Sequence, residues 1–447
     1  MLAVVAAWLL RDTDRRPLRN VVLIVIDTCR ADHMSLYGYA RSTTPHIDSL
    51  AARGVRFDRA HAQAPWTLPS FASLFTSQYP SEHRAGGRFG DFRRFDTATR
   101  TLAEELLDHG IATAGIANVT WLEPKFRFSK GFQIYDYRTT DATNTGHRTA
   151  EATTAAALAA VDRMPEPFFL MAHYFDPHVR YEPPAPFDTL FTGDYDGPYG
   201  KGFGNTDQVV ALRNGTLELD AAARRHLAAL YDGEIAFTDA QIGVLLAELR
   251  RRGIAGRTLV VVTADHGEEF WDHGGFEHGH SLKEHQIHVP LVWSGAGVEA
   301  AGTVVEQPVE SIDIAPTILD LLGLEPPLGF RGASLQPWLE GRVPGEAAAA
   351  EPVVFSEAVL WGDARQSLIA GHHKLIVNLE QHTQELFDLA ADPGERRDLA
   401  VVAPDRVETL RARLLAVRPR TAAGREAETV DLDPDMLERL KALGYTR

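Results

Sequence analysis

Val261-Val-Thr-Ala-Asp-His-Gly-Glu-Glu-Phe270 decides how this chain is read. The β-branched run Thr258 to Thr263 predicts a strand buried in a parallel sheet. Asp265 and His266 follow at its C-terminal end, the edge at which open α/β sheets carry their sites. Five more histidines, His273, His278, His280, His285 and His288, come soon after. A packed core has little use for so many imidazoles, whereas a metal site does. A polar surface loop is the bland alternative, and Asp-His directly after a strand weighs against it.

Working outward, Val21-Val-Leu-Ile-Val-Ile26 is a second unbroken apolar run, closed by Asp27. It reads as a central parallel strand covered on both faces. Ile111 to Ala117, Phe168 to His173 and Val289 to Trp293 read as further strands. Helical patterns cover Thr44–Gly54, Pro69–Thr76, Thr101–Gly110, Ala150–Asp162, Ala221–Arg252 and Ile314–Leu322. Strands alternating with helices predict an α/β fold, a doubly wound and mostly parallel sheet flanked by helices. Pro183 to Gly215 is rich in Gly, Pro and Asp without a period, and is expected to be an insertion or lid loop. Glu340 to Glu351 has a linker's composition. Beyond it, Pro352–Glu357, Gln366–Ala370 and Lys374–Asn378 read as short strands and Arg406–Val417 as a helix, a small α+β C-terminal domain. Arg418–Thr429 has loop composition, and Asp433–Tyr445 reads as a last short helix. The expected organisation is an apolar and linker segment 1–19, a main domain 20–340, a small subdomain 350–420 and a tail 421–447.

The 447 residues carry a formal net charge of −16. Such a field repels nucleic acid and argues against that partner. A small anionic substrate stays open, because a local metal and arginines overrule a global field. Cys29 is the single cysteine, so no intrachain disulfide forms. The apolar stretch Met1 to Leu10 is too short to cross a bilayer and lacks a cationic leader. It reads as the tail of a membrane helix or as a short docked helix. Membrane association through this segment is therefore expected to be available, and a periplasmic or membrane-anchored location is favoured over the cytoplasm.

Asp27, Asp265 and His266 end strands whose edges lie side by side in a doubly wound sheet. Two carboxylates and one imidazole make a divalent-cation site, and the nitrogen favours Mn or Zn over Ca. Trp66-Thr-Leu-Pro-Ser-Phe-Ala-Ser-Leu-Phe75 places Thr67 in the turn ahead of a helix whose unpaired N–H groups can hold an anion. A threonine hydroxyl is a poor nucleophile at neutral pH, and coordination to a cation makes its alkoxide accessible. The plain alternative for Thr67 is a helix N-cap. Ser70 and Ser73 are rivals expected inside the helix.

Taken together, Ile26-Asp-Thr-Cys-Arg-Ala-Asp-His33, Thr67-Leu-Pro-Ser70, Asp176-Pro-His178, Asp265-His-Gly-Glu268 and Val289-Pro-Leu291 resemble the sulfatase family of the alkaline phosphatase superfamily. Glu385-Leu-Phe-Asp-Leu389 and Asp392-Pro-Gly-Glu395 resemble that family's second domain, so the likeness runs from about Asn20 to Tyr445. The resemblance implies an alkaline-phosphatase-like fold with 20–340 as its catalytic domain. It implies that Asp27, Thr67, Asp265 and His266 hold the metal. It also implies that His178 acts near the leaving group, as general acid or as donor to the substrate anion.

Departures from the family pattern sharpen the expectation. Sulfate-cleaving members carry Cys or Ser where Thr67 stands, followed by x-Pro-x-Arg, and convert it to formylglycine. Threonine cannot give an aldehyde and Phe71 replaces the arginine, so no formylglycine is expected. Cys29 is no substitute, because the proline is missing after it. A threonine here resembles the phosphodiesterase and nucleotide pyrophosphatase branch. Asn118 and Thr120 stand where sulfatases have a lysine and a histidine, and His278 or its neighbours replace a later lysine. The two-zinc relatives' Asp-x-x-x-His pattern is broken, since Arg180 lies four residues after Asp176. One metal is therefore expected, with His178, His278, His280 and Arg180 as the anion clamp and Asn118 beside it. The expected activity is hydrolysis of a small anionic ester, phosphate favoured over sulfate, carried on a glycan or lipid. A phosphotransferase acting on a sugar or lipid hydroxyl and a non-catalytic anion-binding protein are the alternatives.

Overall fold

The computed structural model describes residues 18–88, 90–139, 148–342, 352–418 and 428–442. Its centre is a nine-stranded sheet. The strands are β1 (Asn20–Ile26), β2 (Gly54–His61), β3 (Ala112–Ala117), β4 (Ile134–Tyr137), β5 (Phe168–Tyr174), β6 (Thr258–Ala264), β7 (His288–Gly295), β8 (Thr303–Val305) and β9 (Val309–Glu310). They lie in the order β8-β2-β7-β6-β1-β5-β3-β4, with β9 also alongside β2. β7 runs antiparallel to both neighbours, and the other pairs are parallel. Every residue of β1, β5 and β6 is buried, which is why these strands read as continuous apolar runs.

Register places the site. Ile26 lies opposite Ala264 on one side and Tyr174 on the other. Asp27 and Asp265, each one residue further on, therefore come level at the C-terminal edge of the sheet.

Helices flank the sheet, among them α1 (Pro45–Ala51), α2 (Thr67–Thr76), α3 (Leu102–Asp108), α4 (Ala150–Arg163) and α5 (Ala221–Arg251). Their starts follow capping chemistry. Thr101 and Glu104 form a reciprocal box ahead of α3, and Asp220 accepts the Ala223 N–H at the head of α5. Pro183 to Gly215 is not wholly irregular as expected. It contains a helix, Thr206–Arg213, opened by a capping box between Asn205 and Gln208. That Asn-x-x-Gln signal was present but lay among glycines and prolines. β2 and β4 were not expected either. β2 alternates charged and apolar residues, and β4 is a half-buried edge strand.

Beyond the sheet, Val353–Glu357, Arg365–Ala370, His373–Asn378 and Gln384–Asp388 form a four-stranded antiparallel sheet. Helix Pro404–Val417 lays Leu410 and Leu414 against Phe355, Leu368, Leu375 and Leu386 of that sheet. The tail is not wholly loop, because Glu428–Thr429 pairs with Arg93–Arg94. Met436 and Leu440 of the last helix are buried. The apolar N-terminus to residue 17, most of the linker and residues 419–427 lie outside the described residues. Among the described residues no helix is long and apolar enough to cross a membrane.

The two sheets are joined through a buried acidic pair. Glu310 Oε1 accepts the Phe355 N–H at 2.9 Å, and Asp313 Oδ2 accepts the Glu310 N–H at 2.9 Å. Burial, reinforced by Asp313, raises Glu310 to about 8, and burial raises Asp313 to about 7. Folded-state values above the unfolded ones mean stability present at low pH and lost as pH rises through about 7 to 8. Thermal melts are expected to fall in Tm from about pH 4 to pH 8, the window between the unfolded and the folded values of these two groups. Glu310→Gln is expected to flatten that slope, and an unchanged slope would contradict the assignment.

Candidate active site

Asp27, Asp265 and His266 meet at the sheet edge. Each offers a ligand atom within 4.8 Å of the others, and all three are buried. His266 Nε2 lies 3.3 Å from Asp265 Oδ2 and 3.7 Å from Asp27 Oδ1. Those two carboxylate oxygens are buried without a hydrogen-bond partner. The opposite oxygens are occupied. Asp27 Oδ2 faces His173 Nε2 at 3.0 Å, and Asp265 Oδ1 accepts the N–H groups of Thr28 at 3.2 Å and His266 at 2.9 Å. Burial raises both Asp27 and Asp265 to about 7. Two carboxylates that each turn one unsatisfied oxygen toward an imidazole nitrogen form a donor set suited to a divalent cation.

The local backbone supports this arrangement. Thr28 takes φ 52°, unusual for a β-branched residue, and from there donates its N–H to Asp265. His266 Nδ1 donates to the Gly267 carbonyl at 2.9 Å, which leaves Nε2 as the nitrogen that could ligate a cation.

Thr67 is the first residue of α2, not a residue of the preceding turn. Trp66 is the N-cap and makes no side-chain cap, so the Thr67 hydroxyl is not spent on capping. Its Oγ1 lies 3.3 Å from His266 Nε2. Both rival hydroxyls are engaged elsewhere. Ser70 Oγ donates to the Asp265 carbonyl at 2.5 Å, and Ser73 Oγ lies 3.0 Å from His83 Nε2.

The remaining candidates divide. His278 packs on His266, ring centroids 4.4 Å apart, and His178 packs on His278 at 5.0 Å. His178 Nδ1 donates to the Val179 carbonyl at 2.7 Å, and His278 Nδ1 lies 3.1 Å from Glu268 Oε1. Burial and the neighbouring imidazoles hold His278 well below the usual histidine range. His280 is tied instead to Glu269 Oε2 at 2.7 Å, which also meets His285 Nε2 at 3.0 Å. Arg180 is exposed. Asn118 turns its amide nitrogen to Thr153 Oγ1 at 2.9 Å and to the His173 carbonyl.

His173 was missed by sequence reasoning, although an imidazole at the end of the apolar run Phe168–Tyr174 was a visible signal. Its Nδ1 accepts the Asn118 N–H at 3.3 Å, so Nε2 carries the proton it donates to Asp27. Phe71 packs edge-on to it at 5.2 Å, and burial lowers its pKa to about 4. His173→Phe is expected to weaken metal binding about 10–100-fold, with His173→Gln weaker in effect, in titrations of the metal-stripped protein. Equal affinity in wild type and His173→Phe would remove His173 from the site's support.

Residues 19–324 match the profile of the family described as Sulfatase. The chain belongs to the sulfatase family. Residues 271–418 of this sulfatase-family chain also match the C-terminal region described for N-sulphoglucosamine sulphohydrolase. It is 24% identical over 420 residues to the Delta 4,5-hexuronate-2-O-sulfatase of Bacteroides thetaiotaomicron, covering 85% of this chain and 84% of that protein. It is 26% identical over 471 residues to the multifunctional alkaline phosphatase superfamily protein PehA of Trinickia caryophylli, covering 86% and 91%. The phosphonate monoester hydrolase of Silicibacter pomeroyi superposes with a TM-score of 0.72 at 25% identity, over 92% of this chain and 99% of that one. The sulfatase-family protein is thus an ester hydrolase with the alkaline-phosphatase-like fold, and enzymes of this family use a divalent metal.

Proposed function

We propose that this protein hydrolyses a small anionic ester, phosphorus favoured over sulfur, with the Thr67 oxygen as nucleophile. The observation that carries the reading is Thr67 Oγ1 at 3.3 Å from His266 Nε2, the nitrogen toward which both unsatisfied carboxylate oxygens turn. Asp27, Asp265, His266 and Thr67 would hold the cation, and the single nitrogen ligand favours Mn or Zn over Ca. Such a cation supplies a lowered hydroxyl pKa and offsets charge on the ester oxygens.

Thr67 gives its proton to solvent and attacks phosphorus. The new Oγ–P bond forms as the bond to the leaving oxygen breaks. That oxygen departs with the electron pair and takes a proton from Nε2 of His178, which enters the step as the imidazolium and keeps its Nδ1–H on the Val179 carbonyl. Water then gives a proton to His178 Nε2 and attacks phosphorus, the Oγ–P bond breaks, and the Thr67 oxygen leaves with that electron pair and regains a proton from solvent. The α2 N-terminus places backbone N–H groups at the same point, where they favour an anion. His278 serves as a neutral hydrogen-bonding group, in line with its lowered pKa. Asn118 and Thr120 bring no positive charge, which supports a phosphorus ester over a sulfate monoester.

Relatives named for sulfate esters of sugars and for phosphonate monoesters both stand close to this chain. The first supports an ester carried on a glycan, and the second an ester of phosphorus. The test is an ester panel of p-nitrophenyl phosphate, a phosphodiester, a phosphonate monoester and p-nitrophenyl sulfate, with Mn²⁺ or Zn²⁺. Turnover of a phosphorus ester above the sulfate is expected. Faster sulfate turnover would overturn the preference, and no turnover with metal bound would overturn the hydrolase.

A further inference from the structure

A cavity of about 930 Å³ lies between the segment after α2 and the C-terminal sheet. Arg84, Arg88 and Arg93 enter it from one side, and Arg365 and Arg418 from the other. Only two carboxylates, Asp91 and Glu357, share its walls. Five guanidinium groups around one cavity run against a chain whose formal net charge is −16.

The two carboxylates leave the lining with a formal excess of three positive charges. Glu357 is held by the wall itself, accepting the Ser81 N–H at 2.7 Å and Gln366 Nε2 at 3.0 Å. Asp91 reaches Arg93 at 3.6 Å, and Arg88 meets Glu380 at 3.3 Å, both as solvent-exposed pairs. Two atoms of lining residues, Ser81 Oγ and Gln366 Oε1, are buried and have no hydrogen-bond partner.

The cavity is fastened to the candidate active site at two points. Trp66, the residue before Thr67, donates its Nε1–H to the carbonyl of the wall residue Ala358 at 2.7 Å. Arg365 donates to the His280 carbonyl at 3.0 Å, two residues beyond His278. The volume falls in the range of small-molecule sites and exceeds what one sulfate or phosphate fills.

We infer that this cavity is a second anion subsite, which holds a charged sugar unit of the substrate away from the ester that Thr67 attacks. The substrate is then an oligosaccharide bearing more than one anionic group. Guanidinium forks suit sulfate and carboxylate oxygens. None of the exposed large apolar side chains among the described residues lines the cavity, which disfavours a lipid. The purpose of the subsite rests on the hydrolase reading, while the binding it asserts does not.

The test measures binding to the Thr67→Ala protein, and to wild type stripped of metal, by titration calorimetry. The probe is a fully sulfated glucosamine–uronate tetrasaccharide, with its desulfated form beside it. Binding of the sulfated form alone is expected. Arg93→Ala and Arg365→Ala are each expected to weaken it at least about 10-fold, and Arg411→Ala, on an exposed helix face elsewhere, to leave it unchanged. Equal affinity in the arginine variants, equal affinity for the desulfated form, or binding only to vesicles of anionic lipid would overturn the subsite. Arginine-dependent binding without turnover on the ester panel would sink the hydrolase and leave the subsite standing. Ester turnover without that binding would do the reverse.

Discussion

Thr67→Ala is expected to lower kcat on the best ester of the panel by at least about 10³-fold while the metal stays bound, a loss of roughly 4 kcal/mol of transition-state stabilisation. The size of the effect follows from the absence of a stand-in. Ser70 and Ser73 give their hydroxyls to the Asp265 carbonyl and to His83. Cys29 is fully buried, and burial pushes its thiol far above the usual range. Asp27, Asp265 and His266 would still hold the cation on this reading, so metal content should be nearly unchanged by elemental analysis. Thr67→Ser keeps a hydroxyl and is expected to stay within about 100-fold of wild type. Full activity of Thr67→Ala would mean that water attacks the ester directly, and the threonine would revert to a helix-opening residue.

Removing the metal is the second large perturbation. Asp27 and Asp265 each bury an oxygen that no protein group satisfies, and burial raises both to about 7. A cation that binds the folded state adds RT ln(1 + [L]/Kd), about 4 kcal/mol at a thousandfold excess over Kd. Chelation is expected to abolish turnover and lower Tm by several degrees, with Mn²⁺ or Zn²⁺ restoring both. Protons compete for the same oxygens, so metal affinity should fall as pH drops below about 7. Asp265→Asn is expected to lose turnover and the dependence of Tm on metal together. A variant that kept both would place the cation elsewhere.

The sheet was legible where strands are buried on both faces. The runs Val21–Ile26 and Thr258–Thr263 carry no competing signal, and Asp27, Asp265 and His266 followed from their ends. β2 was hidden because it mixes Arg56, Asp58 and Arg59 among apolar residues, and β4 because an edge strand need not alternate cleanly. Thr67 could be singled out by its place before a helical pattern. Its distance to His266 could not, because that depends on how α2 docks against the end of β6. His280 shows the converse limit. Two residues from His278 in sequence, it is claimed by Glu269, and only tertiary geometry separates the two imidazoles. His173 belonged to a strand by pattern, and its contact with Asp27 depends on the pairing of β1 with β5.

The most direct measurement is anomalous diffraction from crystals of the protein loaded with Mn²⁺. The result expected is one peak enclosed by Asp27 Oδ1, Asp265 Oδ2, His266 Nε2 and Thr67 Oγ1, at bonding distances of about 2.0–2.3 Å. A peak bound by the two aspartates and the histidine with the threonine hydroxyl out of reach, or no peak among these side chains, would contradict a metal-activated threonine nucleophile.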